Sequence, residues 1–180
     1  MDKLVQEVLP EIKKVEEISG KKIPLIAGGG IYTGEDIFNY MEMGVSAVQM
    51  GTKFVTTEEC DAALAFKQAY IDAAAEDITL IKSPIGLPGR AVVNEFVTDV
   101  ESGKKKPFNC PFHCIITCDV ENSPYCIALA LINAQKGHFK QGFAFAGENA
   151  YRATEISTVE KIFHQLGEEY DKAYLDKYPQ

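Results

Sequence analysis

Two short apolar runs, each ending in a glycine turn, constrain this chain more than any other feature. Ile23-Pro24-Leu25-Ile26-Ala27 leads into Gly28-Gly29-Gly30, and Val45 to Met50 leads into Gly51-Thr52. Apolar runs of this length without alternation are typical of strands buried on both faces of a parallel sheet. Between them Thr33 opens a helical stretch, Gly34 to Met43, with Glu35 and Asp36 in its first turn and Gly44 at its end. Parallel neighbours need a crossover, and this helix supplies it. The order strand, turn, helix, strand, turn is therefore a βαβ unit, which demands a covered sheet or a barrel.

The glycines also carry chemistry. Without a Cβ, Gly28, Gly29 and Gly30 let backbone N–H groups approach an anion at the C-terminal end of the first strand. Gln49, Met50, Gly51 and Thr52 offer a second bare amide and a hydroxyl at the end of the next strand. Parallel strands bring both turns to one rim. A phosphate held by the loops after the seventh and eighth strands of a barrel has this arrangement.

The flanking sequence extends the pattern. Val5, Val8, Leu9, Ile12, Val15 and Ile18 fall at helical spacing, with the main part of that helix expected to begin at Pro10. Thr56 followed by Glu59 reads as a capping box opening a helix through about Ala75. Beyond residue 76 the character changes. Ile78 to Ile81 reads as a strand, after which Pro84, Gly86, Pro88 and Gly89 are expected to enforce an irregular loop. A helix is expected near Pro124 to Gln135, then a small-residue loop from Gly142 to Gly147 and a final amphipathic helix from about Ser157 to Leu175. The expected division is residues 1–76 as the last βα units of a barrel and 77–180 as a cysteine-containing extension.

Charge narrows the partners. With 18 basic and 26 acidic residues and a net charge of −8, the chain repels nucleic acid and anionic membrane surfaces. The cluster Lys104, Lys105 and Lys106 lies between Gly103 and Pro107 and reads as a solvated loop. Met1 to Pro10 lacks the apolar core of a signal peptide, and no apolar run approaches the length of a membrane helix, so a cytoplasmic location is expected. Cysteine usage agrees with a reducing compartment: five is an odd number, and four fall between Cys110 and Cys126. Cys110, Cys114, Cys118 and Cys126, with His113 among them, are spaced by three, three and seven residues, which matches neither a zinc ribbon nor a ferredoxin run. They are read either as a zinc or iron–sulfur site or as packed, redox-sensitive thiols. Cys114, Cys118 and Cys126 are expected to converge.

The motif Ile23-Pro24-Leu25-Ile26-Ala27-Gly28-Gly29-Gly30-Ile31, the helix ending at Met43-Gly44, and Val48-Gln49-Met50-Gly51-Thr52-Lys53-Phe54-Val55-Thr56-Thr57-Glu58-Glu59-Cys60 together resemble the nitronate monooxygenase family, formerly 2-nitropropane dioxygenase. That family includes the FMN-dependent enoyl-acyl-carrier-protein reductase II enzymes. Lys53 departs from the arginine usual there; it keeps the charge but gives up a bidentate contact. The resemblance implies an α/β fold, the C-terminal part of a (βα)8 TIM-type barrel with an irregular, mainly helical extension. It implies that Gly30, Gln49, Met50, Gly51 and Thr52 contact flavin mononucleotide (FMN), with Gly28 and Gly29 shaping the first turn. Ser83 to Ala91 resembles a further family segment, in which Arg90 would face substrate or cofactor phosphate.

The implied activity is FMN-dependent oxidation of nitronates, with a small-molecule substrate. The alternative is an NAD(P)H-dependent enoyl-acyl-carrier-protein reductase II or related flavin reductase. A second alternative is a non-catalytic subunit needing a complementary barrel half. A whole barrel takes about 250 residues, so this chain is expected to open at the helix before the seventh strand. The catalytic base is expected upstream, with none of His113, His138 and His164 nominated. A homo-oligomer or a complementary barrel half is expected to cover the open strand edge.

Overall fold

A computed structural model describes residues 2–110, 112–116 and 118–179. The chain divides into two compact units, residues 1–59 with 157–180, and residues 60–156. This division is not the partition at residue 76: residues 60–76 go with the second unit and the last helix with the first.

In the unit formed by 1–59 and 157–180, helix α1 (Asp2–Ser19) precedes strand β1 (Ile26–Gly28), helix α2 (Gly34–Glu42), strand β2 (Ala47–Gln49) and the short helix α3 (Thr52–Val55). The two strands pair in parallel, with Ile26 opposite Ala47, Ala27 opposite Val48 and Gly28 opposite Gln49. Strand β1 starts later than its apolar run because Pro24 has no N–H to donate and the Ile23 N–H goes to the Glu16 carboxylate at 2.6 Å. Pro10 lies inside α1 and does not begin it; one lost i→i−4 bond is tolerated where the apolar face packs. Ala27 joins Val5, Ile31, Tyr40 and Val45 in a core that Leu9, Ile37, Val48 and Met50 complete. Register partners share a face, so the opposite face carries Ile26, Gly28, Ala47 and Gln49, and Ile26 is 60% exposed.

The turn into α2 follows local rules closely. Thr33 caps the helix: its Oγ1 accepts from Asp36 N at 3.1 Å while the Asp36 carboxylate accepts from Thr33 N at 2.9 Å and Tyr32 N at 2.8 Å. Helix α7 (Val159–Lys177) then packs across α2. Gly34 permits the contact, since a Cβ there would run into the Leu166 carbonyl oxygen and the Tyr170 amide. The Gly34 N–H donates to the Glu169 carboxylate at 2.7 Å. Phe38 meets Tyr170 edge-on at 5.6 Å, and Tyr174 and Tyr178 extend the aromatic group.

The helix expected from Thr56 to Ala75 is broken. The backbone of residues 56–58 is engaged elsewhere: Ser157 N donates to Thr56 O at 3.0 Å and Glu58 N to Ser157 O at 2.8 Å, a parallel bridge incompatible with a helical turn. Glu59 does cap a helix, but a distant one; its carboxylate accepts from Val159 N at 2.9 and 3.0 Å, at the start of α7. Helix resumes only at α4 (Leu64–Ile71), in the other unit.

That unit, residues 60–156, is built around an antiparallel hairpin of β3 (Ile78–Lys82) and β4 (Pro88–Val92). The segment from Pro88 is therefore strand and not irregular loop. Pro88 stands at the first position of β4, where a missing donor is tolerated. Beyond β4, Val92 N donates to Ala144 O at 3.1 Å and Ala146 N to Arg90 O at 2.9 Å, so the small-residue loop pairs with the hairpin. Helix α5 (Glu95–Glu101) is capped by Asn94, whose Oδ1 accepts from Val97 N at 3.0 Å. The Asn94 amide also donates to Phe139 O at 3.2 Å and Gly142 O at 2.8 Å. Helix α6 (Ile127–Gln135) and the rings of Phe96, Tyr125 and Phe143 close the core. Among the described residues, no helix is long and apolar enough to cross a membrane.

Candidate functional site

All seven residues singled out for an anion site lie in the unit of 1–59 and 157–180, at the C-terminal ends of β1 and β2. Parallel pairing places those ends together. Gly28 closes β1 beside Gln49, which closes β2; a Cβ on Gly28 would stand 3.6 Å from that of Gln49. Gly29 and Gly30 follow with φ of 101° and 76°. Side chains other than glycine pay roughly 1–2 kcal/mol in that left-handed region, so the triple glycine is a conformational requirement at two of its positions.

The direction a side chain would take is open at both turns: no atom beyond the adjoining residues lies within 4 Å of a Cβ built on Gly30 or on Gly51. Gly51 precedes α3 with φ −112° and ψ −58°, and Thr52 is the first residue of that helix. Met50 sends its side chain into the core cluster, which leaves its backbone as its contribution to the rim.

Lys53 and Tyr32 tie the two turns together. Lys53 is only 6% exposed, and its Nζ lies 4.5 Å from the centroid of the Tyr32 ring, itself 8% exposed. A cation from the second turn thus stacks on an aromatic that follows the first, a contact worth more when desolvated. Tyr32 did not stand out in the sequence; an aromatic two positions beyond the glycine run was the available signal. Its backbone is clamped by Asp36, so the exit of the first turn is fixed to the start of α2.

The remaining sequence candidates fall elsewhere. Arg90 belongs to the unit of 60–156, in β4 opposite Leu80, and its guanidinium lies 4.0 Å from the Glu148 carboxylate. His164 is exposed on α7, 3.5 Å from Glu168. His113 and His138 are in the 60–156 unit, away from either glycine turn in sequence.

A βαβ unit whose parallel strands run into two glycine turns on one rim, with helices on one face only, is part of a (βα) barrel. More narrowly, the chain belongs to the nitronate monooxygenase family, which it matches over residues 2–169. This is a family of flavin-dependent oxidoreductases. It is 36% identical over 75 residues to a probable nitronate monooxygenase of Staphylococcus saprophyticus, covering 42% of this chain and 21% of that protein. It is 31% identical over 153 residues to a probable nitronate monooxygenase of Staphylococcus haemolyticus, covering 82% of this chain and 37% of that protein. Among solved structures, FabK from Thermotoga maritima superposes with a TM-score of 0.69 at 24% identity, covering 92% of this chain and 49% of that one. The chain thus spans less than half the length of these relatives. Its architecture is the C-terminal part of a (βα)8 TIM-type barrel with an irregular, mainly helical extension, to which the β3–β4 hairpin is an addition.

Proposed function

We propose that this chain supplies the phosphate-gripping rim of an FMN-dependent oxidoreductase that oxidises nitronates. The observation that carries the reading is the pair of glycine turns at the same end of β1 and β2, each with open space where a side chain would stand. The residues suit a phosphate: glycines at positive φ can turn backbone N–H groups toward an anion, and Thr52 follows the second strand at the same end. Gly28 and Gly29 shape the first turn, Gly30 lets the anion approach, and Gln49, Met50, Gly51 and Thr52 line the second. The buried Lys53 adds positive potential where an anion is to be held. When bound, FMN supplies a store for a hydride or electron pair. The chain's own part is to fix one end of the cofactor, which holds its reactive end in register.

The face carrying Ile26, Gly28, Ala47 and Gln49 supports a further element of this reading. Two parallel strands with one open face do not make a stable sheet. Additional strands, from a complementary barrel half or from a second copy, would cover that face, and the catalytic base would come with the complementary half. The resemblance of the same two motifs to the enoyl-acyl-carrier-protein reductase II enzymes supports a second reading, NAD(P)H-dependent reduction of an enoyl thioester on the same FMN. A third is that the chain acts only as a non-catalytic subunit.

The test is an assay at full natural length with FMN, offering either an alkyl nitronate with oxygen or an enoyl thioester with NAD(P)H. Nitronate-dependent oxygen consumption is expected. Turnover of the thioester alone would replace the first reading by the second, and no turnover with tight FMN binding would favour the third. The 180-residue chain assayed by itself is expected to be inactive, because proton and hydride transfer need groups within hydrogen-bond reach of the reacting atoms.

A further inference from the structure

We propose that Cys110, Cys114, Cys118 and Cys126 form a tetrathiolate site for a thiophilic metal centre, separate from the flavin rim. All four line one cleft of about 230 Å³ in the 60–156 unit, together with His113 and an apolar rim that includes Phe108, Ile115 and Ile127. Cys114, Cys118 and Cys126, expected to converge, share this cleft with Cys110. None of the four is in a disulfide.

Two further observations point the same way. No described residue from Ser102 to Cys126 lies in a helix or strand, although unstructured loops beyond about 12–15 residues are uncommon inside compact units unless something else holds them. Its base is pinned, since Lys106 N donates to Pro124 O at 2.7 Å and the Lys104 and Lys106 ammonium groups both reach Asp99. What fills the apex is the cysteine cleft.

The backbone also turns toward sulfur. His113 N donates to Cys110 Sγ at 3.4 Å, and His113 adopts φ of 45°, the one non-glycine residue in the left-handed region among those described. A backbone N–H aimed at a sulfur three residues earlier is a hydrogen bond of the kind that tunes metal–sulfur sites.

Among the described residues, no three Cys, His, Asp or Glu side chains already stand at metal-holding separation. Ligation must therefore draw the turns inward, with each ligating thiol releasing its proton to solvent. That is the coupling of metal binding to local folding expected for a site built on loops. The ligand class is a soft metal bound through sulfur, a zinc ion or an iron–sulfur cluster, both of which accept four thiolates.

The experiment is anaerobic purification at full natural length, followed by elemental analysis, an absorption spectrum and titration of reactive thiols before and after chelation. One zinc per chain without visible absorbance, or iron with acid-labile sulfide and a broad charge-transfer band that survives removal of flavin, is expected. Chelation should release four additional reactive thiols. Cys118→Ser should lower the metal content at least several-fold, while Cys60→Ser should leave it unchanged. Neither zinc nor iron at stoichiometric level, with four thiols equally reactive before and after chelation, overturns the proposal. Because the metal content of the unsubstituted protein is itself decisive, a poorly folding variant does not weaken the test.

Discussion

The two compact units are organised by different kinds of information. In the unit of 1–59 and 157–180, each segment between Ile23 and Thr52 obeys a rule local to itself: apolar run, glycine turn, capping box, helix, glycine, apolar run. In the unit of 60–156, the decisive contacts join residues far apart, such as Asn94 with Phe139 and Gly142, and β4 with the backbone of Ala144 and Ala146. Local rules place a backbone site where the sequence can announce it. Long-range pairing builds a core that only the folded chain displays.

Substitutions can break that contrast. Phe143 is fully buried and stacks with Phe96 while meeting Tyr125 and Phe145 edge-on. Phe143→Ala should destabilise the 60–156 unit by about 3–5 kcal/mol. In chemical denaturation this should appear as early loss of that unit; a shift under about 1 kcal/mol would mean that its core can collapse around the gap.

Gly34→Ala is the corresponding probe of the other unit. The added methyl meets backbone atoms of α7, which cannot swing aside as a side chain would. A loss at the upper end of about 1–3 kcal/mol is expected, read from the urea midpoint. An unchanged midpoint would show that α7 does not hold this position against α2 in solution.

Asn94→Ala removes the α5 cap and leaves two carbonyls without their donor, so about 1–2 kcal/mol should be lost. Asn94→Asp separates the roles: it keeps the cap acceptor but removes the amide donor. If the aspartate variant matches the original protein, the long-range half of the interaction carries no stability.

The smallest effect expected is one of pH. Glu42 is held below the usual glutamate range by hydrogen bonds from the Lys177 ammonium and the Tyr178 hydroxyl. A carboxyl with a lowered folded-state pKa stabilises the fold above its unfolded-state value, and the gain is lost as pH falls through the folded-state value. Stability should therefore drop on acidification below about pH 4.5, and Glu42→Gln should show a shallower drop. Identical acid profiles would remove this pair from the account.

The sequence reading succeeded and failed along the same division. The Gly28 to Gly30 turn, the α2 cap at Thr33 and the parallel pairing were legible because each rests on backbone conformation that only certain residues allow. The Thr56–Glu59 pair misled for a physical reason: the capping chemistry is real, but Glu59 caps α7, a hundred residues away. The β4 strand was hidden by Pro88 and Gly89, which weaken a strand signal, although Pro88 takes the first position of β4 and Gly89 leaves room for the Phe145 ring. Lys53 over Tyr32 was invisible because it depends on two turns meeting in space.

The central claim is that the paired glycine turns grip a phosphate, and comparing FMN with riboflavin, which lacks that phosphate, tests it most directly. Gly51→Val is the cleaner variant, since φ of −112° accepts a side chain and no neighbouring atom obstructs it. Gly30→Val adds the cost of the left-handed backbone. Flavin fluorescence quenching at full natural length should show FMN bound more tightly than riboflavin. Both substitutions should weaken FMN several-fold while leaving riboflavin nearly unchanged. Equal affinity for the two flavins, or FMN affinity untouched by Gly51→Val and Gly30→Val, would contradict the account and place the phosphate elsewhere.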